Sequence, residues 1–195
     1  MTGRAEPAFQ GDRLGAEFDV ILAQAQRGDS RACTRIYESF APAVAGYFHA
    51  QGAPEPDDLV SEVFLRMYLQ CPSFSGDEAQ FRAWVFTIAH SRLIDARRAG
   101  NRAPEVCSME FAALDGRGPT VVGADEEAME RLAVTEIQQL LRGLTDDQAD
   151  VLALRLMSQM SVDEVAILLG KPPGAVKALQ RRALASLRRR LAKER

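Results

Sequence analysis

The residues that build covalent or catalytic centres are scarce in this 195-residue chain, which has three cysteines and two histidines. Cys33, Cys71 and Cys107 are odd in number and far apart, no pair has CxxC spacing, and neither His49 nor His90 falls near them at ligand spacing. A disulfide framework and a structural zinc are therefore not indicated, and the expectation is reduced thiols with no metal and no cofactor. No glycine-rich phosphate loop and no nucleophile–base pairing occurs either, which argues against an enzyme. No apolar stretch approaches the roughly 20 residues that span a bilayer, and the N-terminus lacks a basic region followed by an apolar run. The expected protein is soluble and cytoplasmic, without membrane contact of its own. No segment alternates with a period of two over more than a few residues, so no sheet is expected and the class is all-α.

An overall positive charge is also missing: 24 Lys and Arg stand against 27 Asp and Glu, a net charge of −3. That excludes a histone-like polycation. The distribution is uneven, however. From Lys171 onward nine basic residues face Glu194 alone, so residues 1–170 carry a net charge of −11. Such polarity suits acidic surfaces for one partner and a basic surface for nucleic acid. With 47% hydrophobic residues the chain can bury one modest core or two small ones.

The basic end coincides with a helix-turn-helix pattern over Leu144 to Leu191. Ser161 precedes Glu164 by three residues, a capping-box spacing that starts a helix at Val162 and carries it through Val165, Ala166, Leu168 and Leu169 to a stop at Gly170. Lys171, Pro172, Pro173 and Gly174 then form a turn that can open a new helix, since proline is tolerated in a first helical turn. In that helix Val176, Ala183, Leu184, Leu187 and Leu191 share one face, while Lys177, Arg181 and Arg188 share another. The basic face is the candidate reader of nucleic acid. Alternatively, the cations complement the helix dipole and remain solvated. A second capping box, Thr145 with Gln148, opens a preceding helix whose Val151, Leu152, Leu154 and Leu156 pack beneath the reader.

Upstream, residues 1–16 lack periodicity and are expected to be a disordered tail. Phe18, Ile21, Leu22 and Ala25 share a face, Gly28 and Asp29 break the pattern, and Ala32, Ile36, Tyr37 and Phe40 resume it. A third segment with Val44, Tyr47 and Phe48 ends near Gly52. After a proline-bearing connector, Asp57 and Asp58 open an amphipathic helix whose stripe is Leu59, Val60, Val63, Phe64, Met67 and Tyr68. Its opposite face shows Asp58, Ser61, Glu62 and Arg66, either a docking surface or ordinary solvated charge. Cys71 to Gln80 is a loop by composition, with Phe74 its one aromatic. From Phe81 to Arg98, Phe81, Trp84, Val85, Ile88, Ala89 and Leu93 repeat at helical spacing beside Arg82, Arg92, Arg97 and Arg98. Rings beside guanidinium groups suit single-stranded nucleic acid, since bases stack and phosphates pair. Trp84 and Phe86 could equally be core, and Phe74 could equally anchor its loop. Residues 101–127 lose all pattern and read as a flexible linker, and helical spacing returns over Ala128 to Leu141.

Taken together, these segments resemble the extracytoplasmic-function branch of bacterial sigma factors, the promoter-recognition subunits of RNA polymerase. The resemblance covers nearly the whole chain after residue 16. Its most specific parts are Asp57-Asp58-Leu59-Val60-Ser61-Glu62-Val63-Phe64-Leu65-Arg66, then Phe81-Arg82-Ala83-Trp84-Val85-Phe86-Thr87-Ile88-Ala89 with Arg92-Leu93-Ile94-Asp95, and the helix-turn-helix. It implies two small helical domains joined by the flexible linker: residues 17–100 as sigma region 2 and residues 128–195 as region 4. It further implies that Asp58, Ser61 and Glu62 bind the coiled coil of the polymerase's largest subunit. Phe74, Trp84, Ser91, Arg92, Arg97 and Arg98 fall on the surface that reads and opens the −10 element, and Lys177, Ala178, Arg181 and Arg182 on the reader of the −35 element. The implied partners are core RNA polymerase, including its flap region, promoter DNA and an anti-sigma factor. Ser61 stands where the family usually has Gln, Ser91 where Asn is frequent, Gln180 where an apolar residue is usual and Leu179 where a polar one is. The competing class is a free-standing helix-turn-helix repressor or activator, which would not need an acidic helix beside an aromatic and basic one.

Overall fold

The computed structural model describes residues 14–100, 139, 141 and 143–192. Seven α-helices and two short 3-10 turns make up the regular structure of the described residues, with no strand among them. The helices are α1 (Phe18–Ala25), α2 (Ser30–Ala50), α3 (Pro56–Gln70), α4 (Glu78–Gly100), α5 (Asp146–Met157), α6 (Val162–Leu169) and α7 (Pro173–Leu191). The expected linker and nearly all of the segment from Ala128 to Leu141 lie outside the described residues.

Local chemistry sets most boundaries. Asp29 starts α2 by accepting the Ala32 amide at 2.9 Å, while Gly28 takes the left-handed φ of 84° that turns the chain out of α1. The segments expected as separate helices before and after Phe40 are one continuous α2 that runs through Pro42. Pro42 and Glu38, whose carbonyl the missing N–H would have bonded, are both exposed. Pro56 occupies the first turn of α3, with Asp57 and Asp58 behind it at the positive end of the dipole. In the C-terminal unit Ser161 Oγ accepts the Glu164 amide at 3.2 Å and Glu164 Oε2 accepts the Ser161 amide at 2.5 Å, which closes the capping box of α6. Gly170 ends that helix at φ 61°, a conformation that favours glycine.

Helices α1 to α4 bury Phe40, Tyr47, Phe48, Phe81 and Phe86 completely. Phe81 is their hub: its ring meets Phe18 at 5.5 Å, Phe40 at 5.4 Å, Phe74 at 5.0 Å and Trp84 at 5.4 Å, each edge to face. Contacts of this geometry contribute about 0.5–1.5 kcal/mol each beyond area burial. Leu14, at the edge of the expected tail, is buried, and the next amide, of Gly15, donates to Glu78 Oε2 at 2.9 Å. The backbone of the loop between α3 and α4 is also held by a distant side chain. Gln26 Nε2, just after α1, donates to the Cys71 carbonyl at 3.0 Å and to the Phe74 carbonyl at 2.8 Å.

Helices α5 to α7 bury Val151, Leu152, Leu154, Val165, Val176 and Ala183, which are continuous with the core of the first four helices. Leu156, Leu184 and Leu191, expected inside, are exposed, while Leu179 is buried in their place. For Leu156 the reason lies in how α5 is packed: besides α7 it meets α2. Its buried face is turned so that Asp150 to Leu154 are all covered, and Leu156 is left outside.

The tether of the α3–α4 loop is testable. Gln26→Ala leaves two partly buried carbonyls without their donor, at about 1–3 kcal/mol. Hydrogen exchange should rise selectively over residues 71–76, with α4 still protected; unchanged loop exchange would show the tether to be incidental.

Candidate nucleic-acid and polymerase interfaces

Three surfaces carry the candidate residues. On α3, Asp58, Ser61 and Glu62 are all exposed. Successive helical residues turn by about 100°, so Leu65 and Leu69 continue the same face, and they are 51% and 74% exposed. The acidic face thus has an apolar end that the sequence reading passes over. Ser61 Oγ donates to the Asp57 carbonyl at 3.1 Å, and its hydroxyl is drawn back along the helix.

The second surface lies on α4 and the loop before it. Trp84, Ser91 and Arg98 recur every seven residues, about two turns, and so share a face. Ser91 and Arg98 are exposed and Trp84 half-buried, whereas Phe86 is completely buried, so of the two aromatics Phe86 is core. Phe74 is half-buried and stacks on Trp84, with centroids 5.0 Å apart and planes at 26°. Its ring also meets Phe81, so it anchors the loop and at the same time presents an aromatic pair toward solvent. Arg92 is held by Asp95 at 3.1 Å and by Glu62 of α3 at 3.8 Å. One cation therefore links the acidic face to the aromatic one.

Arg97 does not join this group. It lies about 140° around α4 from Trp84 and faces α5. Its Nη2 donates to Gln51 Oε1 at 2.9 Å, and its Nη1 lies 3.5 Å from Asp150 Oδ1. Gln51 Nε2 donates to the same Asp150 oxygen at 2.9 Å. Burial raises the Asp150 carboxyl above its ordinary range, opposed by the nearby His90 and Arg97; burial lowers His90, whose Nδ1 lies 2.9 Å from the Tyr47 hydroxyl. None of Gln51, Tyr47, His90 and Asp150 stands out as a site residue in the sequence. Asp150 left a trace: it precedes Leu154 and Met157 by four and seven residues, on the apolar stripe of its helix.

The third surface is α7. Val176, Leu179 and Ala183 are buried, and opposite them Lys177, Arg181 and Arg182 are exposed with Ala178 half-buried between them. These four span an arc of about 140°. Leu179 faces inward, so its apolar character is that of a core position and the basic arc faces solvent undivided. Arg182 Nε donates back to the Ala178 carbonyl at 3.3 Å, which lays its side chain along the helix, while Arg181 sits beside Lys177 one turn earlier. No group of three or more His, Cys, Asp or Glu residues that could hold a metal ion occurs among the described residues, and none of their helices is long and apolar enough to cross a membrane.

Comparison with known proteins agrees with this arrangement. Residues 36–103 match the family model for sigma-70 region 2 and residues 135–187 that for sigma-70 region 4. The ECF RNA polymerase sigma factor SigD of Mycobacterium tuberculosis is 31% identical over 186 residues, 92% of this chain and 84% of SigD. The ECF RNA polymerase sigma factor BldN of Streptomyces coelicolor is 30% identical over 191 residues, 95% of this chain and 69% of BldN. In fold the chain is similar to CnrH, solved in complex with the cytosolic domain of CnrY, with a TM-score of 0.64 and 24% identity over 90% of this chain and 97% of CnrH. An acidic helix, an aromatic and basic helix and a basic helix-turn-helix, in this order and with these relatives, mean that the chain belongs to the extracytoplasmic-function (ECF) branch of the sigma-70 family of RNA polymerase sigma factors.

Proposed function

We propose that the three surfaces divide the work of transcription initiation. The α3 face, with Asp58, Ser61 and Glu62, docks on the coiled coil of the polymerase's largest subunit. Trp84, Ser91, Arg92 and Arg98, with the ring of Phe74, hold the −10 element as its strands part. Lys177, Ala178, Arg181 and Arg182 read the −35 element. The observation that carries this reading is the separation of charge on the surface: exposed carboxylates on α3, and an unbroken basic arc on α7 backed by a buried apolar face. The protein supplies binding energy and performs no catalysis itself, it acts in the cytoplasm beside its polymerase, and an anti-sigma factor is its regulatory partner. CnrH, solved with the cytosolic domain of CnrY, supports that last expectation by analogy.

The α3 assignment predicts that Asp58→Lys with Glu62→Lys abolishes capture of core polymerase. Both residues are exposed, and the Glu62–Arg92 pair lies at 3.8 Å near the surface, so the thermal midpoint should barely move. Wild-type capture by the double variant would refute the assignment.

On α7 the geometry separates two arginines. Arg181→Ala, measured in the holoenzyme on a panel of −35 variants, should cost about 1–3 kcal/mol and relax preference at one base pair. Arg182, folded along the helix, suits a phosphate; Arg182→Ala should weaken all sequences alike and reduce the slope of log affinity against log salt by about one. Sequence-independent losses for both variants would overturn the division.

A further inference from the structure

Between Phe18 and Arg98 every basic residue other than histidine is an arginine, and the arginines divide into two sets. Arg35, Arg82, Arg92 and Arg97 each lie 3.1–3.5 Å from a carboxylate. Arg27, Arg31, Arg66 and Arg98 have no carboxylate partner among the described residues. Of these, Arg98 shares the face of Trp84 and Ser91. Arg27 and Arg31, both exposed, stand instead at the corner between α1 and α2.

Three hydrogen bonds set that corner against the loop before α4. Gln26, next to Arg27, donates its side-chain amide to the Cys71 carbonyl at 3.0 Å and to the Phe74 carbonyl at 2.8 Å. Tyr68, three residues before Cys71, donates its hydroxyl to the Cys33 carbonyl at 2.6 Å, so the first turn of α2, with Arg31, lies beside the end of α3. Phe74 therefore touches both neighbourhoods: its ring stacks on Trp84, and its carbonyl meets the corner that carries Arg27. The loop has no carboxylate from Cys71 to Gly76. The two that flank it serve helix starts: Asp77 Oδ1 accepts the Gln80 amide at 2.8 Å and Asp29 Oδ1 the Ala32 amide at 2.9 Å, where the helix dipole partly offsets their charge.

We propose that Arg27 and Arg31 form a phosphate-binding site for the single strand whose bases are held at Phe74 and Trp84, so that the strand crosses the loop with its bases on the stacked rings and its backbone on the α1–α2 corner. The site rests on the −10 reading given above. Guanidinium groups suit it, because they stay charged and present paired N–H donors to phosphate oxygens. Contacts of this kind fix the position of a strand without reading its sequence, which leaves base preference to the aromatic face.

The test uses holoenzyme assembled with the full chain and a single-stranded oligonucleotide carrying the −10 element, titrated between about 0.1 and about 1 M salt. On a single strand each neutralised phosphate contributes about 0.7 to the slope of log affinity against log salt. Arg27→Ala with Arg31→Ala should therefore reduce that slope by about 1.4, which is roughly 25-fold weaker binding at the low-salt end if the two proteins bind alike at the high-salt end. Preference for the −10 sequence over a scrambled strand should persist, and Arg27→Lys with Arg31→Lys should keep most of the slope. Replacing one phosphate at a time by a neutral methylphosphonate should weaken binding of wild type at one or two positions, to which the double alanine variant is insensitive. An unchanged slope would overturn the site. So would a lost slope that the lysine variant does not restore and that comes with faster hydrogen exchange over residues 71–76, since the arginines would then be supporting the loop. Failure of the alanine variant to capture core polymerase would also overturn it, and would make the pair a contact for an acidic protein surface. If wild-type holoenzyme binds all strands alike, the −10 reading fails, and the slope and the methylphosphonate positions still decide the arginine site.

Discussion

The ring of Phe81 is the constraint on which the N-terminal surfaces depend. It is fully buried and meets edge to face an aromatic from α1, one from α2, one from the loop before α4 and one from α4 itself. Interiors are packed too densely for such a hub to shift by itself. Once its four neighbours are seated, the stacked pair of Phe74 and Trp84 has one available orientation, and Ser91 and Arg98 follow by helical repeat. The face proposed to meet nucleic acid is thus an outcome of core packing, carried outward along a helix.

Electrostatics couples the surfaces more weakly. Arg92 lies between Asp95 and Glu62, and so joins the face proposed to hold the −10 element to the face proposed to dock on polymerase. Both carboxylates are half exposed or more, and pairs of that kind contribute roughly 0–1 kcal/mol. The link orients a long side chain, and breaking it would cost little. The cluster around Asp150 differs, because its carboxylate is nearly covered and a bridging amide satisfies it. Separating a buried charge from its partner is expensive unless water or another cation replaces it.

How much of this could be read from the sequence follows the range of each interaction. The capping box at Ser161, the stop at Gly170 and the break at Gly28 and Asp29 are signals spanning at most three residues, and the structure holds all of them. The acidic face of α3 and the basic arc of α7 rest on helical repeat and are equally local. Leu179 and Leu184 exchange places because the exact arc a helix buries depends on its neighbours, which periodicity fixes only to within a residue or so. The position of Arg97 is farther from reach: its charge suggests nucleic acid, but its partner Asp150 stands 53 residues away, beyond the unpatterned segment. The same holds for Gln26, which meets the Cys71 and Phe74 carbonyls 45 and 48 residues on. A glutamine at a helix end carries no mark of a distant acceptor.

The Gln26 tether also bears on how such a loop changes over generations. It grips backbone carbonyls, which every amino acid possesses, and it makes no demand on the side chains at Cys71 or Phe74. Substitutions in the loop can therefore vary the side chains it displays while its path is kept by a residue at the end of α1. What the loop displays and the path it follows are inherited at separate positions, which lets the one drift without first dismantling the other.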